Sequence, residues 1–175
     1  MKSSPQLSTT QSPPPSPGLY ALILRMPQDA MIRIGAAGEQ HFPAGKYVYI
    51  GSARGPGGLH GRIARHMRKT GKRRHWHIDY LIEETILKAV RWTESDALSE
   101  CNLAAGLAIY GRQYPSRFGA SDCRCAGHLI YLENHEGLLI LHNALPGSMQ
   151  VFVGRPDSTR PLDAGSAAQE SGLTM

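Results

Sequence analysis

The sequence predicts an α+β fold, a single domain with a small antiparallel or mixed β-sheet flanked by helices. Three observations predict it. Compact apolar runs at 19–26 and 47–50 have the length of buried strands. Leu59, Ile63 and Met67 recur every four positions, the spacing of one helix face. Helix-like and strand-like segments then follow one another from residue 76 to residue 142. The chain has 175 residues, room for one domain of ordinary size and not for two with substantial cores.

Taken in order, residues 1–17 are rich in Pro, Ser, Thr and Gln and are expected to be disordered. Residues 155–175 have a similar tail composition, so the working domain spans 18–154. Residues 19–26 read as a buried strand and 31–34 as a short one before the turn residues Gly35 and Gly38. Phe42, Pro43 and Gly45 lead into the second strong strand at 47–50. A glycine-rich loop, 51–58, precedes a helix over 59–69, from whose side Arg62 and His66, four apart, project together. Residues 76–84 predict a second helix and 87–92 a strand. Ser95 is the expected N-cap of a helix running to about Tyr110, with Gly111 as its stop. Residues 127–133 and 138–142 read as closing strands.

At 41% hydrophobic and 19% charged, the composition is that of a globular protein. No apolar run reaches the eighteen or so residues needed to span a bilayer, which excludes a membrane-embedded protein. The first 17 residues lack the apolar centre of a secretory signal, and three cysteines do not make a disulfide framework, so a cytoplasmic location is expected. The net charge is +5, unevenly spread. Residues 46–78 hold nine Lys and Arg (Lys46, Arg54, Arg62, Arg65, Arg68, Lys69, Lys72, Arg73 and Arg74) and no Asp or Glu. So one-sided a block, interleaved with Tyr47, Tyr49, Ile63 and Trp76, concentrates a polyanion, most simply DNA, with RNA open as well.

Glu100 is the carboxylate of most interest. It is the only charged residue between Asp96 and Arg112, and Leu103, Ala104 and Leu107 follow it. Such an acid is paired, protonated or bound to a cation, and Mg²⁺ often takes only one or two protein carboxylates when a phosphate supplies further oxygens. Arg62 offers a planar charged fork for a phosphate, and His66 can pass a proton near neutral pH. Tyr20 follows Gly18-Leu19 at the start of the first strand, and Tyr49 precedes Ile50-Gly51 at the end of the second.

The pair GLY and YIG, followed by Ser52-Ala53, Arg62, His66 and later Glu100, resembles the GIY-YIG nuclease superfamily. Stretches such as YVYIGSA, RHWHIDYL, ECNLA and FGASDCRCAGHL are similar to its compact, stand-alone Uri-type branch over residues 18 to about 133. The resemblance implies that Tyr20 and Tyr49 lie beside the scissile phosphate, that Arg62 binds it, and that Glu100 holds one divalent cation, Mg²⁺ or Mn²⁺. It matches His66 to a position occupied by His or Tyr, and His75 to a further catalytic His, with His77 nearly as good. Ser52 replaces the Lys of repair members. The late Asn common to many members has no clear counterpart, with Asn134, Asn143 and Asp122 as candidates.

The expectation is a divalent-metal-dependent DNA endonuclease with a one-metal mechanism. Tyr49 first and Tyr20 second would relay the water's proton with help from His66, and Arg62 would stabilise the phosphate charge. Ser52, Arg54, Arg65, Arg68, Lys69, Lys72, Arg73 and Arg74 are the expected nucleic-acid contacts. The alternative is a binding module with the same fold that is catalytically weak or inactive. Asp79 and Trp76 read as structural, a polar anchor and a core aromatic. Cys101, Cys123, Cys125 and His128 could give a tetrahedral zinc site. Because Cys-x-Cys is less common than Cys-x-x-Cys at zinc, buried free thiols are the favoured reading. A Cys/His hydrolase built on Cys123 or Cys125 with His128 is the weakest reading, since nothing in the sequence suggests an oxyanion hole.

Overall fold

A strand that is apolar along most of its length has to be covered on both faces, and the central strands of this protein, apolar over 19–24 and 47–50, are. The computed structural model describes residues 11–68, 71 and 73–150. In chain order the elements are β1 (Leu19–Met26), β2 (Ala30–Arg33), β3 (Glu39–Phe42), β4 (Gly45–Ser52), α1 (Gly58–Met67), α2 (His77–Glu84), β5 (Ile86–Thr93), α3 (Glu100–Leu107), β6 (Gly111–Gln113), β7 (Leu129–Leu132), α4 (Glu136–Ala144) and β8 (Gly147–Gln150). Six strands form one sheet in the order β6-β7-β4-β1-β5-β8, every pairing antiparallel, and β2–β3 form a separate hairpin. This is the predicted α+β class.

Alternation along β1 and β4 sends successive side chains into two different cores. Tyr20, Leu22, Leu24, Tyr47 and Tyr49 pack with Leu59 and Ile63 of α1, Ile78 and Leu81 of α2, and Phe42 of the hairpin. Leu19, Ala21, Val48 and Ile50 pack with Leu103, Ala104 and Leu107 of α3 and Leu141 of α4. Tyr20 and Tyr49 therefore share a face. In the β1–β4 register Tyr20 stands opposite Gly51 and Leu22 opposite Tyr49, which makes the two tyrosines diagonal neighbours.

Several expectations are corrected. Residues 138–142, read as a strand, lie in α4. Leu138 and Leu141 fall on one helical face toward the core, where Leu145 just past the helix end joins them, Leu139 and Ile140 are exposed, and the Asn134 side chain accepts from the Glu136 amide at the helix start. The helix expected from Ser95 begins only at Glu100. Ser95 Oγ accepts from Ala97 N in a local turn, and Ser99 is the N-cap, accepting from Asn102 N at 3.2 Å. The helix ends at Leu107, and Gly111 opens β6 rather than closing a helix. In α1 the buried stripe is Leu59, Ile63 and His66, with Met67 40% exposed, because 3.6 residues per turn brings position 66 and not 67 back under position 59. Part of the segment expected to be disordered is held in place. Pro13 is buried, and the carbonyls of Pro14 and Ser16 accept from the His60 and Leu59 amides at the start of α1. The remainder of the two expected tails, 1–10 and 155–175, lies outside the described residues.

Candidate active site

A cavity of about 550 Å³ opens beside the start of β1 and the end of β4. Tyr20, Tyr49, Ser52, Arg62, His66, His75 and Glu100 all line it. Although α3 packs on the opposite face of the sheet, Glu100 is the first residue of that helix and reaches the same cavity. A carboxylate there also faces the positive end of the helix dipole.

The glycine of YIG has a steric task. A Cβ at Gly51 would collide with Oη and Cζ of Tyr20, so the absence of a side chain at Gly51 is what lets the Tyr20 ring lie across β4 toward the cavity. Tyr20 Oη and His66 Nε2 are 2.7 Å apart, and the Tyr49 ring meets His66 edge-on at 6.3 Å. Burial pushes the Tyr20 hydroxyl well above the ordinary tyrosine range, with Tyr49 adding to the rise and Arg62 opposing it. Tyr49 is raised likewise, first by burial and then by Glu100, again against Arg62. Both phenols hold their protons at neutral pH.

Beneath His66 lies a fully buried carboxylate. Asp79 Oδ1 and Oδ2 accept from Arg65 Nη1 and Nη2 at 2.8 and 2.9 Å, and Oδ2 also accepts from the His75 and Trp76 amides. Burial alone would raise its pKa, but the Arg65 hydrogen bonds and the two amides prevail and hold the carboxyl well below the usual range. Asp79 Oδ1 lies 4.0 Å from His66 Nδ1. Arg62 and Arg65 each place a guanidinium over the Trp76 ring, at 4.3 and 4.1 Å, so Trp76 aligns the phosphate candidate with the buried pair.

The remaining predicted residues divide. His75 is exposed at the rim, and His77, half-buried, accepts from the Gly119 amide at Nδ1, with burial lowering its pKa. Of the candidates for the late polar residue, Asp122 lines the cavity, whereas Asn134 is taken up by the start of α4. Arg68 and Arg73, with Arg65, line a second cleft that shares His75 and Trp76 with the first. Arg54 is exposed on the loop after β4. Two expected contacts are otherwise engaged. Arg65 is committed to Asp79, and Arg74 is paired with Glu83 at 2.5 Å. Lys69 and Lys72 lie outside the described residues.

On another wall of the cavity, Cys123 and His128 adjoin Cys101 and Cys125. The four ligand-type atoms all lie within 4.8 Å of one another. Sequence reasoning missed the contributions of Gly119 and Ser121 to the lining. Gly119 carried a signal, since its φ of 72° favours glycine and a Cβ there would press on the Tyr49 ring at 3.0 Å. Ser121 carried none, because its place depends on the path of the loop between β6 and β7.

A protein-family model described as a domain of unknown function, DUF123, matches residues 19–148. No curated protein and no solved structure matches the chain.

Proposed function

The chain belongs to the DUF123 family, and we propose that it is a divalent-metal-dependent endonuclease that hydrolyses DNA phosphodiester bonds. The observation that carries this reading is the convergence on one open cavity of two phenols, a guanidinium, an imidazole and a carboxylate that are up to 80 residues apart in the chain. The order of these residues, and their likeness to the GIY-YIG nucleases, support the same assignment.

Glu100 is the residue that would hold Mg²⁺ or Mn²⁺. An oxygen donor open to a cavity suits a hard cation that keeps most of its waters, and Asp122, which lines the same cavity, offers a second oxygen. Bound there, the cation supplies positive charge for the leaving oxygen. Arg62, held by Trp76, presents its fork to the phosphate and stabilises the added charge of the transition state. The proton of the attacking water needs an acceptor, and a phenol with a raised pKa is a poor resting base. The sequence puts Tyr49 first in this role. The hydrogen bond to an imidazole belongs to Tyr20, so Tyr20 takes the water's proton as it passes its own to His66 Nε2. The Asp79 carboxylate favours the tautomer protonated at Nδ1 and stabilises the imidazolium that results.

The test is a panel of labelled duplex, branched and single-stranded DNA and RNA, incubated with Mg²⁺, Mn²⁺ or chelator. Wild type should nick DNA only with metal, and Glu100→Ala should bind the same substrate without cutting it. Full cleavage by Glu100→Ala would refute the assignment. Binding without cleavage by wild type in every metal would make the protein a binding module.

A further inference from the structure

We propose that Cys101, Cys123, Cys125 and His128 bind one structural Zn²⁺ in tetrahedral coordination, fastening the start of α3 to the loop between β6 and β7.

The donors come from separate parts of the chain. Cys101 is delivered by α3, Cys123 and Cys125 by the loop, and His128 by the residue before β7. His128 is fixed by its backbone, since its carbonyl accepts from Ile50 N at 2.9 Å and its amide donates to Phe118 O at 2.8 Å. The loop is shaped by Arg117, whose Nη1 donates to the carbonyls of both Cys123 and Cys125. Each thiol sulfur thus turns toward one imidazole nitrogen. Cys101, Cys123 and Cys125 Sγ lie 3.6, 3.6 and 3.1 Å from His128 Nε2.

Two of those separations match the edges of a zinc tetrahedron, whereas Cys125 at 3.1 Å from the nitrogen and the 2.9 Å between the Cys123 and Cys125 sulfurs are shorter, so a bound ion would push the Cys125 sulfur outward. With Zn–S of about 2.3 Å and Zn–N of about 2.0–2.1 Å, tetrahedral angles put sulfur and nitrogen about 3.5 Å apart. Three sulfurs and one nitrogen are soft donors that select zinc over magnesium, so this site is chemically separate from the oxygen of Glu100. The cysteines are free, and His128 is buried while the thiols are partly so. Zinc binding displaces the thiol protons to solvent and leaves three thiolates and a neutral imidazole around the ion. Because Cys101 follows Glu100 directly, the zinc also sets the backbone from which Glu100 reaches the cavity. That last consequence rests on the endonuclease reading, whereas the zinc site does not.

The experiment measures metal in the full chain, purified under reducing conditions without chelator. About one equivalent of zinc is expected, and Co²⁺ exchanged into the site should show the intense visible bands of tetrahedral thiolate coordination. Cys125→Ser should bind zinc at least about 100-fold more weakly, and Glu100→Ala should bind it like wild type. Less than about a tenth of an equivalent after incubation with Zn²⁺, together with octahedral Co²⁺ bands, would overturn the proposal. So would an unchanged zinc affinity in Cys125→Ser or its loss in Glu100→Ala. If Cys125→Ser fails to fold, the Co²⁺ spectrum of wild type decides. Full zinc occupancy with no cleavage of any substrate would count against the endonuclease and for the zinc site.

Discussion

Tyr20 Oη and His66 Nε2 share a 2.7 Å hydrogen bond between two rings that are each 2% exposed. A phenol and an imidazole buried together at the wall of an open cavity share one proton path, in which Tyr20 meets the attacking water and His66 takes the proton that Tyr20 gives up. Tyr20→Phe should therefore lower the cleavage rate by about 10²–10⁴-fold, and His66→Ala by a similar factor. The double variant should be no slower than the worse single one, since one relay is lost only once. Single-turnover rates with Mg²⁺ measure this, and multiplicative losses would show that the two residues act separately. Tyr20→Phe removes one buried hydrogen bond, a cost of about 1 kcal/mol, so the chain should stay folded while the rate falls.

Gly51→Ala tests the steric side of the same pair. Its methyl would meet the Tyr20 ring, and the ring has to turn or the strands have to part. Overpacking of this kind costs about 1–3 kcal/mol. Cleavage should fall about as far as in Tyr20→Phe, with a lower thermal midpoint as well. A variant with wild-type rate would mean that Tyr20 lies elsewhere during turnover.

Much of this site was legible because its parts belong to regular elements. Period-two alternation put Tyr20 and Tyr49 on one face, and the helical spacing of Arg62 and His66 put both on one side of α1. What could not be read was depth and company. Nothing in the spacing of His66 marks it as buried, yet it is, and the buried partner of Arg65 is an aspartate beyond the basic block, on α2. The segment 138–142 fits a strand or a helix equally as a short apolar run, and what separates the two is the packing of Leu138 and Leu141 on the core with Leu139 and Ile140 left exposed. The cysteine cluster depends on the loop between β6 and β7, whose path is set by Arg117 and carbonyl contacts without sequence periodicity.

Asp79→Asn should destabilise the fold by about 2–4 kcal/mol. A neutral amide leaves Arg65 without its counter-charge, and Arg65 is 23% exposed, so water offsets part of the loss. The pH dependence has a definite sign. The folded carboxyl titrates below its ordinary value of about 3.9, so in acid the unfolded chain binds more protons. The stabilisation is complete above about pH 5 and is lost as pH falls through that ordinary value toward the folded one. Urea unfolding from pH 7 to pH 3 should show wild type losing stability across this window, with Asp79→Asn lower at neutral pH and flatter in acid. Equal acid slopes would mean that Asp79 is not the group responsible.

The basic residues should separate by whether their charge is already spent inside the protein. Among the described residues, Arg54, Arg68 and Arg73 form no ion pair, and Arg68 and Arg73 line the cleft that continues from the candidate site. Arg74 is paired with Glu83 and leans over the Tyr80 ring. A cation that contacts a phosphate releases condensed counterions, so each such contact steepens the fall of affinity with salt by about 0.9 logarithmic units on duplex DNA. Arg68→Ala and Arg73→Ala should each reduce that slope by about 0.7–0.9 and weaken binding to all sequences alike. Arg74→Ala should leave the slope close to wild type, because the charge it removes is already neutralised by Glu83. Affinities from fluorescence anisotropy at several salt concentrations give the slopes directly. A slope that falls for Arg74→Ala and not for Arg68→Ala would place the DNA on the α2 side of the domain, away from the cavity that holds Tyr20 and Glu100.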